Sequence, residues 1–575
     1  MDNRVNHRLS IIFTAVSLFY LLAGIVLLII FGPIKTDIFG ISFSHTSMTK
    51  PAKLCLLIFL IGWFFELKYR FHQGGGPKNK PTVIRWLTLL ASLWALIFSI
   101  YAILLHYTYR SGALDMALHS QLLWNLIQGN FLQSSFTVYS FAANHFWVGL
   151  YLFVPVFLIG GEYALLISEV LIIALGVFPA YYLAREIIKS HPWALAFAIA
   201  YLLYPTLSMG VLFEFHLEPI TVPIIITALL YLKRRRFIRF FILTLLSISL
   251  YEVTAVVFGF LGLTLLFKPR FRVTGLILLL STSAYLVIIL QVVLPHFGGE
   301  NYFPHWDRYS HLGTDPLNAS SSVLLHPLEV IKSHFQQDRD IVQLFYNFQA
   351  LGFLPLFAPI YLIPAVPLIL ALLLSNWDAQ IDIRLGYIAP AIPFFLLSAI
   401  YGVRRIFTFP LGIGTWFRRY GMLVLIFLSG ILFIDFQLEH PIRGFPFPVR
   451  KNLDNIYTAA SLIPPDAHLS ADWHLGSHFG SREIILLFPV TEHMNQTAEY
   501  VFLDLEEKMV KDDTYWNRVE EISRSNRWAP VYFSKGVLLL KRGGRSDPAL
   551  IESSREYLRK LIKERSVRAS SGEKI

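Results

Sequence analysis

The chain has 575 residues, 55% hydrophobic and 15% charged, with a formal net charge of +11 and a positive mean hydropathy of +0.55. Soluble domains carry about a quarter of their residues as charges, so lipid is the solvent for most of this chain. Its basic excess sits between apolar runs, as in cytoplasmic loops, and excludes nucleic acid as a partner. The one cysteine, Cys55, lies inside an apolar run and excludes a disulfide framework or a thiolate metal site.

The first apolar run, about residues 9–31, is long enough to span a bilayer and is followed by no small-residue cleavage pattern. Further spans are expected at 52–67, 84–106, 163–184, 193–213, 219–232, 273–295, 388–407 and 420–436. Three stretches resist counting. Residues 146–161 are short for a crossing, 237–267 are interrupted by Tyr251-Glu252, and 350–374 carry Pro355, Pro359, Pro364 and Pro367.

Charge settles how these three are used. The basic groups Lys68 to Arg85, Arg185 and Lys189, Lys233 to Arg236, Lys268 to Arg272, and Arg404 to Arg419 should all face the cytoplasm. They do so only if 146–161 dips without crossing, 237–267 is a hairpin with Glu252 at its tip, and 350–374 turns back. The result is an α-helical polytopic membrane protein of about 11–13 membrane segments, lying multi-pass in the inner (plasma) membrane. A small C-terminal soluble α/β domain is expected outside the cytoplasm.

The same bookkeeping collects Asp115, His119, His145, Glu214 to Glu218, Glu252, the loop at 296–345 and Asp378 to Tyr387 on one face. A charge near lipid costs about 2.5–3.5 kcal/mol on insertion scales, so such groups are paired or functional. A polar cavity open to the outer side is the inference. Residues 107–145 read as an amphipathic helix on the outer surface, with Leu114, Leu118, Leu122 and Leu126 at helical spacing and Asp115 and His119 sharing a face. The loop at 296–345 holds His305, Trp306, Asp307, Arg308 and Tyr309, turns at Asp315-Pro316, and is suited to cover a site.

From about 437 the sequence is soluble in character, entered through a linker with Pro441, Pro446 and Pro448. Strands are predicted at 467–472, 483–489 and 499–503, with a hairpin across 530–541 around Lys535-Gly536. The expected division is 1–83 membrane hairpin and cytoplasmic linker, 84–436 membrane domain, 437–545 soluble domain and 546–575 basic tail.

Several local patterns resemble one family. They are Leu114-Asp115 with Gln121, Trp124-Asn125, Gly129 and Phe131, then Asn144-His145-Phe146, Pro179-Ala180-Tyr181, Phe213-Glu214-Phe215-His216 and Tyr251-Glu252. Tyr309 to Gly313, Gly352 to Leu356, Ile463 to Ala467, Ser481-Arg482 and Phe488-Pro489 extend the pattern. Together they resemble the membrane family catalogued as domain of unknown function 2079, over about 84–505. That family looks like a distant relative of the GT-C glycosyltransferases, which take a sugar from a polyprenyl-phosphate carrier using an acid on the first large outer loop.

The resemblance implies a membrane glycosyltransferase acting at the outer face on a polyprenyl-phosphate sugar and an envelope acceptor, within the lipid bilayer. Asp115 is the candidate base and Glu252 a second catalytic candidate. His119, Gln121, Asn125, His145, Glu214, His216, Arg308, Arg384 and Tyr387 are candidate substrate-binding residues, with Arg308 and Arg384 holding the leaving phosphate. No sequence spacing fixes a metal; a divalent cation would draw on Asp115, His145, Glu214, His216 and Glu252. Two other readings compete. A transporter or flippase is suggested by broken helices and Glu252 at membrane depth, and a non-catalytic envelope scaffold by the C-terminal domain.

Overall fold

The computed structural model describes residues 5–17, 34–38, 41–45, 49–72, 80–299, 304–314, 316–326, 330, 338–410, 412–438, 450–493, 496–507, 512–544 and 547–570. The expected proline linker, Asp315 and much of the first span lie outside these residues.

Among the described residues six helical stretches are long and apolar enough to cross a membrane: Thr82–Tyr107, Val148–Ile188, His191–Gly210, Pro269–Gly298, Ala389–Ile406 and Ile413–Leu438. Phe237–Leu250, Thr254–Leu266 and Pro359–Leu373 are shorter apolar helical pieces, and Leu217–Lys233 is a helix buried among them. The chain is a multi-pass membrane protein.

The three ambiguous stretches fold as the charge argument requires. Phe237–Leu250 and Thr254–Leu266 are limbs of about 20 Å each, parted where Tyr251 becomes extended. Their far ends return to the same place: Lys233, one turn before the first limb, lies 6.0 Å over the Tyr401 ring, and Lys268, just after the second, lies 5.2 Å over Tyr361. Those two tyrosines stack on each other at 3.9 Å. Glu252 is therefore the tip of a hairpin.

The proline-rich stretch likewise descends and climbs back. Proline lacks a backbone donor and clashes with the preceding turn, so this segment breaks into tight turns at Leu354–Phe357 and Pro359–Ala365 before the helix Val366–Leu373. The carbonyls released at Pro355 and Ala358 accept hydrogen bonds from the Ser398 hydroxyl at 2.9 and 2.8 Å. Non-helical backbone is thus satisfied inside protein rather than in lipid. The third stretch ends at a break at Gly160-Gly161, where Gly161 takes φ +55°, a value glycine adopts without steric cost. Gly149 packs on the Ser249–Leu250 backbone near the Glu252 tip, and Tyr163, just past the break, lies against His106. The segment therefore begins and ends at one end of the bundle.

The soluble domain has a five-stranded sheet. Leu469–Ala471 sits parallel between Ile485–Leu487 and Tyr500–Asp504; Val537–Arg542 then pairs antiparallel with both Tyr500–Asp504 and Trp528–Ser534. The hairpin turns at Lys535-Gly536 with φ of +45° and +76°, the positive pair that a two-residue turn between twisted strands requires. The basic tail is a helix, Pro548–Ser570, whose Leu558 is buried in the same core as Val501, Leu503 and Leu538, so it packs on the soluble domain. One expectation needs correction here. The 107–145 segment is not a free surface helix: Ser120, Gln121, Leu122 and Asn125 on its Leu118–Ile127 helix are all buried, because the soluble domain lies on it.

Candidate functional site

Asp115 sits in a single wide helical turn, Ala113–Ala117, that precedes the Leu118–Ile127 helix. Such π turns concentrate at functional sites because they re-aim side chains that a regular helix would stack. The re-aiming is visible. His119, four residues on, bonds the Asp115 backbone carbonyl at 2.6 Å, while the Asp115 carboxylate reaches His216 Nε2 at 3.5 Å.

His216 belongs to the loop Val211–His216 between two buried helices. Glu214 in that loop takes φ +67° and accepts the Gly112 backbone N–H at 2.7 Å. Two residues, one on each side of Phe215, are thereby sent to separate tasks: Glu214 fixes the Asp115 turn, and His216 meets its carboxylate. The His216 backbone N–H donates to Glu169 at 3.3 Å. Burial alone would lower the His216 pKa; the bonded Asp115, with the charges of Glu218 and Glu169, outweighs it and pushes the value up to about 10. His119 goes the other way, to about 4, through burial first and repulsion from His216 next. One imidazolium and one neutral imidazole thus stand 5.8 Å apart, and neither His119 Nε2 nor His216 Nδ1 has a hydrogen-bond partner among the described residues.

The second half of the site is the hairpin tip. His145 Nδ1 lies 2.7 Å from Glu252, and its ring stacks on Trp147 at 4.6 Å, which in turn stacks on His119 at 5.3 Å. His305 comes within 5.8 Å of His145, and burial lowers its pKa to about 4, with Arg308 adding repulsion. Arg308 lies 4.1 Å over the Trp377 ring, which packs edge-on to Tyr387. Burial raises the Tyr387 pKa, and the charges of Glu218 and Asp115 raise it further while Arg308 opposes them. Tyr387 is thus within electrostatic reach of both carboxylates and the guanidinium.

Of the residues expected from sequence, Asp115, His119, His145, Glu214, His216, Glu252, Arg308 and Tyr387 converge. Gln121 and Asn125 are spent elsewhere. The Gln121 amide donates to Ser135 and to the Arg482 and Glu483 carbonyls, and accepts from Ser134 and the Ser135 N–H. Asn125 donates to the Gln133 carbonyl at 2.8 Å. Both side chains tie the loop together, and Gln121 also ties it to the soluble domain. Arg384 is held in a forked pair with Asp382, at 2.9 and 2.6 Å, so its guanidinium is already engaged. Sequence reasoning missed Glu169 and the separate importance of Glu218, both buried. The signal for Glu169 was present: it is a lone acid inside the apolar run 164–175. Among the described residues no three His, Cys, Asp or Glu side chains converge as a metal-holding group.

A bundle with re-entrant hairpins, its carboxylates and histidines gathered at the end opposite its basic turns, and a soluble domain closing over them defines a polytopic membrane protein with a built polar site under that domain. The chain belongs to the family described as predicted membrane protein, domain of unknown function 2079, which it matches over residues 105–539. That match runs through both the membrane and soluble parts. A comparison with curated proteins finds no match. Among solved structures, ArnT from Cupriavidus metallidurans bound to undecaprenyl phosphate overlaps 78% of this chain and 97% of its own, at 13% identity and TM-score 0.45. The apo form of the same protein overlaps 78% and 98%, at 13% identity and TM-score 0.44.

Proposed function

We propose that the protein is a membrane glycosyltransferase of GT-C type, working at the face that carries Asp115, with a polyprenyl-phosphate sugar as donor and an envelope hydroxyl as acceptor. The observation that carries this reading is the Asp115–His216 pair at 3.5 Å on a re-aimed helical turn. His216, held cationic, keeps a positive charge 3.5 Å from the Asp115 carboxylate and fixes where that carboxylate points. Asp115 takes the proton of the acceptor hydroxyl, the acceptor oxygen bonds to the anomeric carbon, and the bond from that carbon to the phosphate oxygen breaks. The carrier phosphate leaves with the bonding electrons, and Arg308, fixed on Trp377, is the cation assigned to its developing charge. Glu252 holds His145 and the Trp147–His119 stack behind this pair, so its role in this scheme is to position them.

The same reading puts the basic turns in the cytoplasm and the soluble domain outside it. The test is transfer from polyprenyl-phosphoryl-glucose and polyprenyl-phosphoryl-mannose in membranes carrying the full chain. Asp115→Asn should lower turnover by about a hundredfold or more with expression and melting temperature retained; full activity of that variant would sink the proposal.

A further inference from the structure

The opposite end of the bundle carries a second arrangement. An apolar groove of about 420 Å³ opens there, walled by residues such as Leu183, Leu229, Leu261, Pro364 and Leu397 and reaching Lys233 and Lys268. A second depression of about 450 Å³ adjoins it, shares Tyr361 and Tyr401, and is edged by Arg404 and Arg405. The two stacked tyrosines form the floor between them, with one ammonium over each ring. Lys233 and Lys268 lie near enough to repel one another.

Among the described residues none of these four cations forms an ion pair, and the acid on the adjoining helix, Glu186, is taken by Arg234 at 2.6 Å. Phe267 and Ile360 at the groove rim are 79% and 67% exposed, which suits an acyl chain and not water. Like charges brought together over polarisable rings, beside an apolar slot at a helix-end level, call for an anion with an apolar tail.

We propose that this groove binds an anionic phospholipid, its phosphate between Lys233 and Lys268 and one acyl chain lying along the leucine wall. The site is separate from the Asp115 site, since the hairpin that carries Glu252 at its tip returns to Lys268 at its foot. Charge complementarity selects the occupant: a zwitterionic lipid brings its own cation into a place that already holds two.

Native mass spectrometry of the full chain released from nanodiscs of mixed phosphatidylglycerol and phosphatidylcholine tests this. The wild type should retain phosphatidylglycerol in preference to phosphatidylcholine. The Lys233→Ala/Lys268→Ala variant should lose that preference by roughly tenfold, and Lys233→Arg/Lys268→Arg should restore it. Arg418→Ala/Arg419→Ala, which removes basic-end charge away from the groove, should leave it intact. The proposal is overturned if the alanine pair keeps the wild-type preference, if the Arg418/Arg419 variant loses it equally, or if millimolar inorganic phosphate displaces the lipid and binds in its stead.

Discussion

The two ends of the membrane domain handle charge in opposite ways. At the Asp115 end, acids and histidines are buried and answer one another: Asp115 with His216, Glu252 with His145, Glu214 with the Gly112 amide. At the other end, Lys233, Lys268, Arg404 and Arg405 are left to aromatic rings and backbone. The bilayer itself explains the difference. Anionic headgroups at a bilayer surface can meet cations that have no protein partner, whereas a carboxylate sunk below such a surface has only the protein to meet it. Charges paired within the protein mark a site that the fold has built, with His119 Nε2 and His216 Nδ1 left over for a ligand; cations without a protein anion are an invitation to the membrane.

The contrast can be broken most forcefully at the hairpin tip. Glu252→Ala leaves His145 partly buried beside Trp147 with no acid, and we expect a loss of about 3 kcal/mol, read as a drop in melting temperature of the detergent-solubilised chain. A melting temperature equal to wild type would mean that the pair is solvated and the end not self-sufficient. Next in size is Gln121→Ala, which removes the amide that binds the loop to the Arg482 and Glu483 carbonyls. It should cost about 1–3 kcal/mol and speed limited proteolysis of the full chain; an unchanged digestion pattern would show that the soluble domain is held by other contacts.

A smaller effect follows pH. The folded His216 pKa of about 10 exceeds its unfolded value near 6.5, so its stabilisation is complete below about pH 6.5 and fades as pH rises toward 10. His119, folded near 4, contributes above about 6.5 and loses that contribution as pH falls toward 4. The melting-temperature gap between wild type and His216→Gln should therefore narrow from pH 6.5 to 10; a gap that widens would invert the assignment of charge. Least of all, Lys233→Ala/Lys268→Ala should leave the melting temperature in neutral-lipid nanodiscs nearly unchanged, since these lysines have no protein anion to lose.

The helical hairpins and the gathering of Asp115, His145, His216 and Glu252 were legible in sequence because the membrane makes charge expensive and orientation regular. Parity of the basic turns alone required Glu252 at a tip and Pro355 to Pro367 in a turn. The strands of the soluble domain were legible as short β-like runs and by Lys535-Gly536. What sequence concealed is contact between distant segments. Leu114, Leu118 and Leu122 carry a pattern that fits a helix lying on lipid as well as one roofed by protein, and nothing local to Gln121 reveals a partner at Arg482. Arg384 read as a phosphate holder because its neighbour Asp382 can point anywhere until the loop closes. Glu169 was passed over because a single acid in a span could face either a partner or a cavity.

The roof over Asp115 has a consequence for how the protein comes into being. Gly112 lies so near Trp473 that a side chain there would collide with the indole, Gly480 sits likewise against Ala117 and Ser120, and the Ala113 N–H donates to the Trp473 carbonyl at 2.8 Å. The turn bearing Asp115 leaves the ribosome early, yet its clamp arrives some 360 residues later. A nascent chain can therefore insert every span with the Asp115 turn held by Glu214 and His216 alone, and synthesis of the final segment adds the clamp that completes it.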